Sequence, residues 1–185
     1  MEGALDALLK GGAVTIWLTA SVKGEGLYRK LGFVSIDSVN RWVGEGSGVP
    51  ALFEAAPFDQ EVVRQVDRAG WGDGRDALLA TTCGRGQKFC GNYSFLCCQP
   101  WEDGTQLGPW GSLFESEAEP LLDLALSFVE GRVFLDVPAG NVAAAALLTR
   151  RGFSLKGSNT LMYLGAEPRF EPKKVFALAS MGSMG

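Results

Sequence analysis

A seven-residue pattern that occurs twice limits what this chain can fold into more than any other feature. Residues 27–33 read LYRKLGF, and residues 147–153, 120 positions later, read LLTRRGF. Each copy follows an apolar run typical of a strand and a turn of small residues, and each is followed by another strand-like run. The sequence therefore predicts two copies of a strand–helix–strand unit.

The first unit lies near the start of the chain. Residues 13–20, AVTIWLTA, are rich in β-branched and aromatic side chains and predict a buried strand. Ser21 is suited to cap a helix over residues 22–31, and FVSIDSVNRWVG at residues 33–44 predicts the next strand. Leucines and alanines at helical spacing in residues 3–10 predict a short helix before the unit.

The second unit has the same order. RVFLDVP at residues 132–138 predicts a strand, and Asn141 is suited to cap a helix that ends in Arg150 and Arg151. FSLKGSNTLMYLG at residues 153–165 predicts the following strand, and KKVFALAS at residues 173–180 predicts a closing one.

The region between the two units has its own pattern. Helices are predicted behind an Asp59 cap and again after Trp71, and strands at residues 88–98 and 105–114. Ser116 with Glu119 has the pattern of a capping box for a further helix.

Two domains are predicted, because the glycine-rich segment GEGSGVP interrupts the pattern near residue 46. They comprise residues 1–45 and residues 46–185. Helices and strands alternate, but the late strands follow one another directly. This order favours an α/β chain with a mixed sheet over one with a purely parallel sheet.

Composition excludes several classes of protein. Of the 185 residues 46% are hydrophobic and 21% are charged, which is typical of a globular chain that buries a sizeable core. The net charge is -4 and no Lys/Arg-rich block is present, so no nucleic-acid partner is expected. No run of eighteen apolar residues suits a membrane, and Glu2 and Asp6 lie where a signal peptide is positively charged. A cytoplasmic protein without a membrane partner is predicted.

The chain has no histidine. This absence removes the common catalytic triads, histidine-ligated metals and imidazole acid–base chemistry. The four cysteines lack the spacing of a structural zinc site, so we interpret them as buried small hydrophobic residues and expect no metal. They are Cys83, Cys90, Cys97 and Cys98.

LDVPAGNVAAAALLTRRGF, residues 135–153, resembles the second half of a GNAT acyl-CoA N-acyltransferase, in which Asn-x-x-Ala follows a strand and opens a helix that ends in Gly-Phe. Residues 46–185 as a whole, including VDRAGWGDGRDALL, QLGPWGS and VFALAS, resemble the C-terminal module of tandem-GNAT proteins of the YitH/HsdE type. Residues 1–45 resemble the tail of a preceding module. The resemblance implies an α/β (α+β) fold with a mixed, mostly antiparallel sheet flanked by helices, in one partial and one near-complete copy of the GNAT fold.

The resemblance also implies an activity, the transfer of an acetyl group from acetyl-CoA to a small amine. Tyr28 takes the position of the family's catalytic tyrosine, which protonates the departing thiolate. The second copy has Leu148 there, and Tyr163 is a weaker substitute. The interpretation that the sequence favours for Tyr28, however, is an amphipathic residue that packs its ring and leaves its hydroxyl in water.

Four residues are the candidates for binding acyl-CoA: Trp110, Gly111, Ser112 and Asn141. The glycines and proline of LGPWGS suit a splayed strand that offers backbone N–H groups to a thioester. Asn141 is also interpretable as a helix cap alone.

The family's glycine-rich pyrophosphate turn is missing, since the corresponding stretch reads GSLFESEAEPLL. Eight acidic residues and one basic residue occupy positions 102–136, and those carboxylates repel a pyrophosphate. A locally basic C-terminal part could meet the 3′-phosphate or form a solvated face; its cations are Arg150, Arg151, Lys156, Lys173 and Lys174. A second interpretation therefore stays open: a non-catalytic GNAT-like module for binding or dimerisation, with a homodimer as one partner.

Overall fold

The computed structural model describes residues 2–49 and 56–180. The helices are α1 (Glu2–Lys10), α2 (Glu25–Lys30), α3 (Gln60–Trp71), α4 (Asp76–Cys83), α5 (Glu115–Phe128) and α6 (Val142–Arg150), with a 3-10 turn at Pro172–Lys174. The strands are β1 (Thr15–Ala20), β2 (Val34–Glu45), β3 (Lys88–Cys90), β4 (Ser94–Trp101), β5 (Gly104–Ser112), β6 (Arg132–Pro138), β7 (Ser154–Gly165) and β8 (Val175–Ala177).

All eight strands belong to one sheet. Its order is β1-β7-β2-β6-β5-β4-β3, and β8 pairs with β5 outside this path. The neighbours run antiparallel except β5 and β6, which are parallel. The predicted mixed, mostly antiparallel sheet flanked by helices is confirmed. The boundary predicted near residue 46 stays a prediction.

The two repeat units, β1-α2-β2 and β6-α6-β7, exchange strands. The second strand of each unit pairs with the first strand of the other, so that β7 lies beside β1 and β2 lies beside β6. Between them, β2 and β7 pair symmetrically about Val39 and Asn159, which are equivalent positions of the repeat. The irregularities of the pairing also match. Ile36 in β2 has no partner in β7, and its equivalent in β7, Lys156, has no partner in β2. The units are thus related by a local two-fold axis.

Helices cover both faces of the sheet. In β4 successive side chains point to opposite faces, so Leu96 packs in the core under α5 and α6, while Phe95 packs with Val63 and Leu79 of α3 and α4. The larger core holds the residues Leu121, Leu122, Leu135, Leu147 and Leu148.

Two predicted helix caps are confirmed and two are wrong. Asp59 accepts a hydrogen bond from the Glu61 N–H at 2.8 Å, and Asn141 accepts one from the Ala144 N–H at 2.9 Å. Ser21 instead forms a turn in which its Oγ accepts from the Gly24 N–H, and α2 begins only at Glu25. Ser116 lies inside α5 and forms no capping box, because the helix already begins at Glu115.

The interpretation of the cysteines needs a correction. Cys90 and Cys98 are free and buried, and burial raises the pKa of the Cys98 thiol to about 12. Cys83 and Cys97, however, form a disulfide that joins the end of α4 to β4. A pairing of this kind depends on the packing of α4 against the sheet, which the cysteine spacing does not reveal.

Breaking this disulfide should destabilise the chain. The cysteines are 14 residues apart, and closing a loop of that length in the unfolded chain is worth about 3 kcal/mol. We expect a reducing agent to lower the free energy of unfolding by that amount in urea titrations. The double variant Cys83→Ala/Cys97→Ala should lose the response to reductant, and Cys90→Ala should keep it. A wild-type chain equally stable with and without reductant would contradict the bond.

Candidate functional site

The parallel strands β5 and β6 separate partway along their length. They pair only at Thr105 with Val133 and at Gln106 with Phe134, and no pairing joins the rest of β5 to the rest of β6. The register between β4 and β5 also shifts opposite this point, between Leu96 and Cys98. The irregular strand that LGPWGS predicts is therefore confirmed.

The chain's own β8 fills the opening between these strands. On one side Ala177 pairs with Trp110 and Val175 with Gly111. On the other side the Leu178 N–H donates a hydrogen bond to the Asp136 carbonyl of β6 at 2.7 Å. Residues 175–180 are at most 7% exposed. The segment is therefore an integral part of the core.

Residues 175–180 fit beside β5 because the two backbones approach each other closely at Gly108. Gly108 has φ +149°, and a Cβ at that position would collide with the Leu178 carbonyl oxygen. The Gln99 side chain, itself buried, donates from Nε2 to the Gly108 carbonyl at 2.6 Å and to the Ala179 carbonyl at 2.9 Å. A glycine and an amide thus fix the C-terminal segment against β5.

The residues proposed to bind acyl-CoA line this filled opening. Trp110, Gly111 and Ser112 are buried, and the Ser112 Oγ donates to the Phe114 carbonyl at 2.7 Å. Asn141 uses its oxygen to cap α6 and donates from Nδ2 to the Val175 carbonyl at 3.0 Å. The cavity beside Trp110 measures about 10 Å³, room for one water at most. A pantetheine arm does not fit there beside β8, and the assignment of these four residues stays a prediction.

Tyr28 lies elsewhere, on α2 of the first unit. Its half-buried ring meets Phe33 edge to face, with centroids 5.8 Å apart, in a cluster that includes Leu31 and Leu164. The equivalent Leu148 is fully buried. Tyr163 lies on the opposite face of the sheet, 6.4 Å from the ring of Trp17. The two tyrosines therefore cannot substitute for one another at one place.

The structure does not bring all the predicted site residues together. Three strands, β7, β2 and β6, lie between β1, which leads into the Tyr28 helix, and β5, which carries Trp110. The sequence treats them as parts of one mechanism, whereas the fold places Tyr28 in the first repeat unit and Trp110 on β5, which belongs to neither unit.

The acidic residues at the start of α5 have structural partners. The Glu117 carboxylate accepts from the Tyr93 N–H at 2.8 Å and from the Ser94 hydroxyl at 3.0 Å. Asp123 and Glu119 both accept from the Arg151 guanidinium, and the hydrogen bond to Asp123 raises the pKa of Arg151. Carboxylates therefore tie α5 to β4 and α6 where the family has its glycine-rich turn. Of the five candidates for a 3′-phosphate, Arg150 and Arg151 are both paired with α5.

Among the described residues, two ion pairs with a buried carboxylate were not predicted from the sequence. Arg41 of β2 donates from Nε and Nη2 to the two carboxylate oxygens of fully buried Asp136, both at 2.8 Å, and this bond raises the pKa of Arg41. Arg75 pairs with buried Asp67 at 2.6 Å and lies over the Trp71 ring at 3.9 Å. The carboxylate inside the apolar run RVFLDVP is a signal that could have indicated the first pair.

A cavity of about 430 Å³ lies between α3 and α4. Apolar Val63 and Leu79 line it together with an Arg64–Asp76 ion pair and Lys88. None of the residues predicted for catalysis or for binding acyl-CoA lines it.

Residues 2–49 and 56–180 contain no group of three or more His, Cys, Asp or Glu side chains arranged to hold a metal ion. Of the helices in those ranges, none combines the length and the apolarity needed to cross a bilayer.

Comparison with known proteins gives one family. A family model described as "Acetyltransferase (GNAT) domain" matches residues 63–177. No curated protein sequence matches the chain significantly.

Solved structures show the same fold. A candidate acetyltransferase from Pyrococcus horikoshii has a TM-score of 0.82 at 23% identity, with 99% of this chain and 65% of that chain covered. Two GCN5-related N-acetyltransferases also match, each over 87% of this chain. The protein from Anabaena variabilis has a TM-score of 0.54 at 12% identity, and the protein from Kribbella flavida has a TM-score of 0.55 at 13% identity. This chain spans 48% and 46% of those two proteins.

Proposed function

The chain belongs to the GNAT acetyltransferase family, and from this premise we propose that it takes part in acyl-CoA-dependent N-acyl transfer. The donor is acetyl-CoA and the acceptor is a small amine. The amine nitrogen attacks the thioester carbonyl, the carbon–sulfur bond breaks, and the amine proton passes to water. A phenol supplies the proton that the departing thiolate takes up, and the resulting phenolate regains a proton from water.

We assign the proton transfer to Tyr28. The observation that supports this is the contrast between the two equivalent strands. The outer side of β6 is filled by β5 and β8, whereas β1 ends the sheet and pairs, among the described residues, with β7 alone. Tyr28 follows β1 as Leu148 follows β6, so the copy with the phenol is also the copy whose first strand has, among the described residues, no strand on its outer side.

The arrangement of the chain is part of the proposal. Residues 1–45 are the C-terminal part of a first GNAT module, and residues 46–185 are a second module of the YitH/HsdE type. The strand–helix–strand repeat and its two-fold register support this interpretation. A cytoplasmic location completes it. Disulfides are uncommon in a reducing compartment. A stability that responds to reductant through Cys83 and Cys97 would therefore argue against the cytoplasmic location.

A second candidate function is a non-catalytic GNAT-like lobe, and the filled opening favours it. In this interpretation Trp110 and Gly111 hold β8 through their backbones, Asn141 holds the Val175 carbonyl, and none of them meets acyl-CoA. The second module would then support or orient another part of the protein without turning over substrate.

Acetyl-CoA binding and thiol release separate the two candidates. Calorimetry with acetyl-CoA, and a thiol assay across a panel of small amines, should give binding and turnover if the chain is an acyltransferase. Binding without thiol release favours the lobe. If the chain shows no heat of acetyl-CoA binding and no thiol release, the proposed activity is contradicted.

Replacing Tyr28 with phenylalanine should lower kcat about a hundredfold, because only the proton-donating hydroxyl is lost and general acid catalysis contributes at least that much. The steady-state rate of thiol release measures the effect. Tyr163→Phe is the matched control and should leave kcat unchanged, since that residue lies on the other face of the sheet. A fully active Tyr28→Phe variant would exclude Tyr28 as the acid.

A further inference from the structure

The cavity between α3 and α4 is separate from the residues proposed for catalysis and for binding acyl-CoA, and its size suits a small ligand. Its volume of about 430 Å³ lies within the range of about 300–1,000 Å³ that is typical of ligand pockets. All of its lining residues lie between positions 58 and 88 of the chain. The walls of the cavity are therefore independent of how residues 1–45 are arranged.

The inner wall of the cavity is apolar. Val63 of α3 and Leu79 of α4, both buried, contribute aliphatic surface, and the half-buried ring of Phe58 contributes an aromatic one. Cys83, which its disulfide joins to Cys97 of β4, also belongs to this wall. A surface of this kind favours hydrocarbon over water. A ligand that fills the cavity should therefore have an apolar body.

Three charged side chains also line the cavity, and two of them neutralise each other. Arg64 donates from Nε to a carboxylate oxygen of Asp76 at 2.7 Å. The third is Lys88, whose ammonium lies 4.2 Å from the centroid of the Phe58 ring. Within the part of the chain that the structure describes, no carboxylate lies within ion-pair distance of this ammonium. The cavity thus has one uncompensated cation beside an apolar wall.

We propose that this cavity binds a small monocarboxylate with an apolar body, and that Lys88 pairs with the carboxylate. One uncompensated ammonium matches one negative charge, and the hydrogen bond between the two is charge-assisted. The nearby Asp76 carboxylate disfavours a dianion such as a phosphate monoester, while Lys88 itself repels an ammonium. The cavity is therefore a different site from that of an acceptor amine. This inference concerns binding alone and does not depend on the proposed acyl transfer.

Isothermal titration calorimetry of the full chain with sodium octanoate tests the proposal, in buffer without reductant so that the disulfide of Cys83 stays intact. We expect one octanoate to bind per chain and to raise the Tm in thermal denaturation. 1-Octanol has the same hydrocarbon chain without the charge and should bind at least about tenfold more weakly, because the charge-assisted hydrogen bond is lost. Octylammonium should not bind at the same concentrations, since its charge is repelled by Lys88.

Substitutions in the cavity locate the binding. Lys88→Gln should weaken octanoate binding at least about tenfold, and Lys88→Arg should retain it. Ala80→Phe places a ring in the cavity at an exposed position of its lining and should abolish binding. Lys23→Gln, at an exposed lysine outside the cavity, is the matched control and should bind as wild type does. Circular dichroism verifies that each variant is folded.

Three results would overturn the proposal. The first is a wild-type chain that does not bind octanoate at millimolar concentrations. The second is equal affinity for octanoate and 1-octanol, which would show that no cation takes part. The third is unchanged binding in Lys88→Gln or in Ala80→Phe, which would place the ligand elsewhere on the protein.

Discussion

Replacing Gly108 with alanine is expected to lower the free energy of unfolding by at least about 4 kcal/mol. The backbone at φ +149° is one that alanine rarely adopts, and the new Cβ would collide with the Leu178 carbonyl oxygen. Relief requires that residues 175–180 move, yet these residues fill the space between β5 and β6. Urea denaturation of the variant measures the loss.

Gly157→Ala is the matched control for this substitution. Gly157 also lies in a strand, but nothing lies within 4 Å of its Cβ position, so its variant should stay within about 1 kcal/mol of wild type. Equal stabilities for the two alanine variants would mean that the C-terminal segment does not lie against Gly108.

Replacing Arg41 with methionine should cost about 3–5 kcal/mol, because the Asp136 carboxylate would be left buried without its cation. Asp136 is fully buried and both of its carboxylate oxygens accept from Arg41. Its backbone carbonyl also accepts from the Leu178 N–H. Loss of the pair therefore disturbs the middle of the sheet and the attachment of β8. Thermal and urea denaturation measure the effect.

Two variants make this result specific. Arg64→Met breaks the exposed ion pair with Asp76 and should cost no more than about 1 kcal/mol. The double variant Arg41→Met/Asp136→Leu should regain most of the lost stability, since it removes the buried charge as well as its partner. If the double variant is as unstable as Arg41→Met alone, the cost does not come from an uncompensated carboxylate.

Local sequence signals identified the helices and strands of the repeat units correctly. They did not reveal which strands pair over long distances in the chain. The helix and strand of each unit follow from capping residues such as Asn141 and from runs such as RVFLDVP. The insertion of β2 beside β6 joins residues about a hundred positions apart, and no short-range pattern encodes that pairing. Ser116 illustrates the opposite error, because its capping pattern is present while the chain begins the helix at Glu115.

The candidate site was predictable only in part, for the same reason. The glycines of LGPWGS correctly indicated a strand that leaves its neighbour. No sequence signal indicated that Val175 and Ala177 would occupy the space, since an apolar tail is compatible with many positions in a sheet. The separation of Tyr28 from Trp110 is likewise a property of strand order, which depends on the whole sheet.

The exchange of strands between the two units has a consequence for synthesis. β1 and β2 are synthesised before β7, yet both hydrogen-bond to β7, which ends at Gly165. During that interval the two early strands have no permanent neighbour, and exposed strand edges of this kind are prone to aggregate. Completion of the sheet thus awaits the synthesis of β7, and until then we expect the nascent chain to benefit from chaperones.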